Sequence, residues 1–308
     1  MNDARVRLRY LRQTISLLFP GPGEARPYSL LPHPLLPRRL APRTWWHPCG
    51  KVMVPSGEDT VETYLSEVLD LPVRVVLHVR PARRVNRKPI LEAHGPDGLV
   101  AFVKIGDTDR ARELIANEAR TLDMLAGASL KTVVPPVVLH HGSWHGLSVL
   151  ALSPLPVPDR ASRLRVGHGA IPPGLLTEAI REIGALSGDR SAWHGDFCPW
   201  NIARGPDGRL LVWDWERFAT GVPLGFDALH HFFQRALRRM RPAVAARACL
   251  AQALPILAPF GLSAAEARLT AIHYLIVLAE RHAADGHEPL GPPARWLSPV
   301  VDAQEVLV

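Results

Sequence analysis

The prevailing apolar period of this chain shifts at one hinge, and the shift divides it. Up to Ser153-Pro154-Leu155-Pro156 most ordered stretches alternate as strands do, and beyond it they recur at helical spacing. This predicts an α+β fold of two lobes, a small antiparallel β-sheet lobe followed by a larger, mainly helical one. Ahead of both, nine prolines between Pro20 and Pro55 exclude a long helix or an interior strand and predict an extended arm. Leu30, Leu31, Leu35, Leu36, Trp45 and Trp46 give that arm apolar surface to pack. The expected division is an arm at 1–55, an N-lobe at 56–153 and a C-lobe at 154–308.

Within the N-lobe, Ser56 and Asp59 read as a capping box opening an amphipathic helix with Val61, Tyr64, Leu65, Val68 and Leu69. Val73 to Val79 alternates, and Ile90 to Ala93 and Leu99 to Ile105 flank the turn Gly95-Pro96-Asp97-Gly98 as a hairpin. Asp107 to Ala126 is a helix with Leu114, Leu122 and Leu125 inward. Val137 to His141 and Leu147 to Leu152 complete five strands. Helices are expected in the C-lobe at Leu175–Leu186, Asp227–Met240, near Val244–Leu254, and at Ser263–Arg281, where Ser263 and Glu266 form a capping box. Between the first two lies a β-like insertion, Asn201–Ala203 and Leu210–Trp213.

A hydrophobic content of 47% with 21% charged residues excludes wholly disordered, collagen-like and coiled-coil chains. The longest apolar run, Tyr274 to Ala279, predicts no membrane span. The run from Leu17 to Phe19 ends at Pro20, too short for a secretory core, so a cytoplasmic location is expected. Cys49, Cys198 and Cys249 have no metal-ligand spacing. Of the net charge of +7, +6 sits in residues 1–153, with 20 basic against 14 acidic; residues 154–308 hold 16 against 15. No aromatic platforms interleave the basic segment Arg83–Lys88, so no nucleic-acid partner is expected. His140/His141 and His230/His231 lack carboxylate or cysteine neighbours at metal spacing and read as surface or helix-face histidines.

The chemistry-bearing segment is W-H-G-D-F-C-P-W-N at 193–201. His194, Asp196 and Asn201 keep the spacing H-x-D-x-x-x-x-N, and Asp214 closes an apolar strand expected to pair back onto the Asn201 strand. A phosphoryl-transfer site needs a carboxylate to take the proton of an attacking hydroxyl and oxygen ligands for Mg²⁺; Asp196, Asn201 and Asp214 supply that set. Lysine occurs only at 51, 88, 104 and 131. Lys104 shares a strand face with Val100 and Phe102, and Glu118 lies on the helix stripe between Leu114 and Leu122. Two opposite charges on buried faces predict a strand-to-helix ion pair.

H-G-D-F-x-P-W-N at 194–201, W-D-W-E at 213–216 and the Lys104/Glu118 pair make the chain resemble the aminoglycoside phosphotransferase and choline kinase branch of the protein-kinase-like superfamily, from about Val73 to Arg281. The resemblance implies Asp196 as catalytic base with His194 orienting its loop, and Asn201 and Asp214 as Mg²⁺ ligands. It implies Lys104, fixed by Glu118, on the ATP phosphates, and Leu152, Ser153 and Leu155 in an adenine-contacting hinge. Gly195 stands where protein kinases carry arginine, which points to a small-molecule acceptor. Glu216 matches an acidic residue of choline-kinase-like members, and Trp200 and Trp215 flank the metal ligands.

The chain departs from a kinase pattern at Pro81–Pro89, which holds no glycine; Arg83, Arg84, Arg87 and Lys88 stand there as candidate phosphate contacts. The rival reading is a catalytically idle pseudokinase that binds nucleotide or a partner. Oligomeric state is left open.

Overall fold

The computed structural model describes residues 2–21, 23–31, 51–78, 87–157, 171–188, 191–286, 290–298 and 300. The architecture is mixed, with small, largely antiparallel sheets and helices. The chain divides into two compact units, Met1–Ala119 with Val137–Pro154, and Arg120–Pro136 with Leu155–Val308.

The first unit begins with helix α1 (Asn2–Leu18) and strands β1 (Ala25–Leu31) and β2 (Lys51–Pro55). Helix α2 (Val61–Val68) and strands β3 (Arg74–His78), β4 (Ile90–Gly95) and β5 (Gly98–Gly106) follow, then helix α3 (Asp109–Ala126), which continues into the second unit. Short β6 (Val133–Val134) belongs to the second unit, and β7 (Val138–Trp144) and β8 (Leu147–Leu152) return to the first. Seven of these strands form one sheet in the order β2-β1-β3-β4-β5-β8-β7.

Three sequence expectations are corrected here. β1 is an interior strand although it contains Pro27. It switches partner along its length: Ala25–Ser29 pairs with β2, while only Leu30 and Leu31 pair with β3. The donor that Pro27 lacks therefore interrupts no β3 ladder. Helix α1 was not expected among its arginines, yet Tyr10, Thr14 and Leu18 recur at four-residue spacing and are buried. The cap of α2 is Thr60, whose hydroxyl accepts from the Thr63 N–H at 3.3 Å; Ser56 instead donates to the Glu24 carbonyl at 2.7 Å. Residues 32–50 of the expected arm, with Trp45 and Trp46, lie outside the described residues.

Alternation along β3, β4, β5 and β8 puts Val75, Leu77, Leu91, Ala93, Ala101, Val103, Ile105, Val149 and Ala151 into one core with Leu18, Phe19, Val61 and Leu65. Lys104, expected to be drawn in with an apolar face, projects from the opposite face of β5 and is nonetheless buried.

In the second unit follow α4 (Pro173–Gly184), β9 (Ala192–Trp193), β10 (Ile202–Arg204), β11 (Leu210–Val212) and β12 (Ala219–Thr220). Then come α5 (Phe226–Leu237), α6 (Pro242–Ala251), α7 (Ala253–Leu257), α8 (Ala264–Ala284) and α9 (Pro293–Trp296). Ser263 and Glu266 form the expected capping box of α8. β10 and β11 pair antiparallel, β11 pairs parallel with β6, and β12 pairs with β9. Glu182 of α4 holds β6 in place: its carboxylate accepts from the N–H groups of Lys131, Thr132 and Val133, at 2.5 to 3.2 Å. Bonds to a charged acceptor are about twice as strong as neutral ones, which gives a two-residue strand a fixed register. Among the described residues, no single helix is long and apolar enough to cross a membrane.

Candidate active site

β9 delivers the chain into the loop 194–201, and the loop's shape is set at Gly195. Its φ is +80°, and a Cβ there would lie 2.1 Å from the Arg217 carbonyl oxygen. Glycine is thus required here by close backbone approach. The loop is anchored from below by Asp227, in the first turn of α5. This fully buried carboxylate accepts from the His194 N–H at 2.7 Å and the Gly195 N–H at 3.2 Å. Burial pushes the Asp227 carboxyl up to about 7, against the two N–H donors and the charge of Arg281. Arg281, near the end of α8, donates to the Gly195 carbonyl and lies over the Trp193 ring at 5.4 Å.

His194 is fully buried, packed edge-to-face on Trp215 at 4.6 Å, and its Nδ1 accepts from the Asp196 N–H at 3.1 Å. Burial drives its pKa down to about 4, so the ring is neutral and acts by holding the loop. The Asp196 side chain is 30% exposed. Both of its oxygens are engaged by donors: Oδ2 by the Asn201 amide at 2.9 Å, and Oδ1 by His230 Nε2 at 3.1 Å. Burial raises this carboxyl, but the His230 hydrogen bond and the Arg281 charge outweigh that, leaving it below the usual aspartate value.

The Asn201 amide nitrogen also donates to the Asp196 carbonyl at 3.0 Å, which turns its oxygen, a hard ligand atom, away from Asp196. The Trp213 N–H donates to the Asn201 carbonyl at 3.1 Å, and Asp214 follows directly. Asp214 adopts the left-handed region, φ 73° and ψ 52°, and opens the single turn Trp215–Arg217. That turn brings Asp214 and Glu216 back to one side, with carboxylate oxygens within 4.8 Å of each other. Trp215 is buried and donates to the Val212 carbonyl at 2.9 Å; Trp200 is 48% exposed. Asn201, Asp214 and Glu216 are an all-oxygen set of the kind Mg²⁺ prefers, so the residues fit that ion.

The first unit, taken by itself, holds the ion pair expected from periodicity. Lys104 Nζ donates to Glu118 Oε1 at 2.7 Å and Oε2 at 2.5 Å, with Lys104 at 7% and Glu118 at 0% exposure. Leu152 ends β8 in the buried sheet. Ser153 is tied to Val137 twice, its N–H donating to the Val137 carbonyl and its hydroxyl accepting from the Val137 N–H, both at 2.9 Å. Leu155 is half-buried in the second unit. Arg83 and Arg84 lie outside the described residues; Arg87 stacks over the Tyr10 ring at 5.2 Å.

Sequence reasoning missed Asp227, His230, Tyr274 and Arg281 as site residues. His230, expected at a surface or helix face, is fully buried against Asp196. The available signal was Asp227 and His230 three apart on one helix face.

No family model matches the sequence, and no significant match is found among curated proteins. Among solved structures, monomeric WbdD is similar at 19% identity over 56% of this chain and 45% of that one, with a TM-score of 0.35. The bifunctional kinase-methyltransferase WbdD matches at 17% over 71% and 47%, TM-score 0.35. WbdD with the kinase inhibitor LY294002 matches at 17% over 70% and 48%, TM-score 0.36. The chain thus spans about half the length of these structures. Scores and identities this low assign no activity and no residue role here.

Proposed function

We propose that this chain is a small-molecule kinase of protein-kinase-like fold that uses ATP and Mg²⁺ to phosphorylate a hydroxyl group. The observation that carries the reading is the locked Asp196 carboxylate, held by Asn201 and His230 beside the Asp214–Glu216 pair. In the reaction the acceptor oxygen forms a bond to the γ-phosphorus, the bridging bond to the β-phosphate breaks, and ADP leaves. Asp196 takes the hydroxyl proton and orients the attacking oxygen. Asn201 and Asp214, with Glu216 near, would hold Mg²⁺, which when bound neutralises phosphate charge. Lys104, fixed by Glu118, would contact the phosphates, and Leu152, Ser153 and Leu155 would meet the adenine. The C-terminal half carries 16 basic against 15 acidic residues, so no acidic surplus recommends a polycation. A neutral or anionic hydroxylated metabolite fits better.

The test is ³¹P NMR of the purified chain with Mg·ATP and pooled sugars, antibiotics and hydroxylated acids. ADP and a new phosphomonoester should appear together, one for one, and only with Mg²⁺. Tight nucleotide binding with no transfer to any pool would favour the idle, nucleotide-binding alternative.

A further inference from the structure

Both oxygens of Asp196 are occupied, but the two donors differ in kind. Asn201 is part of the loop motif, whereas His230 comes from α5, 34 residues on. Its ring is fully buried and bonded at both nitrogens, Nε2 to Asp196 Oδ1 at 3.1 Å and Nδ1 to the Tyr274 hydroxyl at 3.0 Å. Tyr274 is itself buried, on α8.

We infer that Tyr274 and His230 form a positioning relay for Asp196: the tyrosine hydroxyl donates to Nδ1, this fixes the Nε2–H tautomer, and Nε2–H donates to the aspartate. An ionised carboxylate only accepts, so the nitrogen facing it must carry the proton, and the other nitrogen must then accept. The chain of donors has one consistent direction, from Tyr274 through His230 to Asp196. With Asn201 on the second oxygen, the plane of the carboxylate is set, and its remaining lone pairs are left for the acceptor hydroxyl. No proton is transferred along the relay, and no charge is needed in it. Buried side chains of two helices, α5 and α8, thereby hold the angle of one partly exposed carboxylate. Edge-to-face contacts of the imidazole with Trp193 and Tyr274, at 6.2 and 6.0 Å, further restrict the ring.

The role of His230 in turnover rests on the phosphotransfer reading, whereas its tautomer does not. Long-range ¹H–¹⁵N correlation on histidine-labelled protein, with His230→Gln used for assignment, should show His230 neutral and protonated at Nε2. Tyr274→Phe should broaden or split that signal, because Nδ1 loses its donor. In turnover, His230→Ala should lower kcat by about 10- to 100-fold, the scale of a small misplacement of a reacting group. The KM for ATP should not change. His230→Gln, which keeps an N–H near the Nε2 position, should recover kcat to within a few-fold even if the alanine variant folds poorly. A proton found on Nδ1, or wild-type kcat in His230→Ala, would overturn the relay. If no acceptor is ever phosphorylated, the phosphotransfer reading fails, and the tautomer alone decides whether the relay exists.

Discussion

Asp196→Asn is expected to lower kcat by about 10²- to 10⁴-fold, the range assigned to a positioned general base. The substitution is nearly isosteric, so Gly195 can keep its backbone conformation and Asp227 its two N–H donors. What changes is the balance of hydrogen bonds. Asn201 and His230 each present a donor to a different oxygen of Asp196, and an amide has only one oxygen to offer. One donor is left facing an N–H, at an expected stability loss of about 1–3 kcal/mol. Turnover and urea denaturation on the same sample separate the two effects. A variant that keeps the wild-type rate would remove Asp196 from the chemistry.

The second large effect concerns Lys104 and Glu118. Glu118→Ala removes the carboxylate that accepts from an almost fully buried ammonium, and breaking such a pair typically costs about 3–5 kcal/mol. The double variant Lys104→Met/Glu118→Leu replaces both charges by apolar groups of similar volume and should regain most of that stability, since buried pairs are often matched by well-packed hydrocarbon. A pair that serves only the fold would then be dispensable. If Lys104 contacts phosphates, the double variant is stable but has lost most of its activity. Denaturation curves and turnover for wild type, single and double variants test this; a stable and fully active double variant would give the pair a structural role alone.

These contrasts follow the line between what was legible in the sequence and what was not. That His194, Asp196 and Asn201 meet could be read because they fall at fixed short spacings, and the Lys104–Glu118 pair because strand and helix periods place each charge. Ser263 and Glu266 likewise signal a helix start locally. Asp227, His230, Tyr274 and Arg281 reach the loop from 32 to 86 residues away in sequence, through the packing of α5 and α8. No local pattern encodes such distances. β1 was missed for a related reason: a proline excludes a strand only where a ladder bond is needed, and its partner switch removes that need. Ser56 had a capping residue's chemistry but found a different partner, the Glu24 carbonyl.

Calorimetric titration of ATP into the wild-type chain and into Asp214→Ala, each with and without Mg²⁺, tests whether this chain holds a metal-bound nucleotide. Asp214 stands next to the strand that pairs with the Asn201 strand, and its carboxylate is the charged ligand proposed for Mg²⁺. The wild type should bind ATP more tightly with Mg²⁺ than without, by at least about tenfold (~1.4 kcal/mol). Asp214→Ala should lose that gain while keeping its melting temperature within a few degrees. Equal Mg²⁺ enhancement in both proteins would remove Asp214 from the metal site, and no ATP binding by the wild type under any condition would rule out phosphotransfer from ATP.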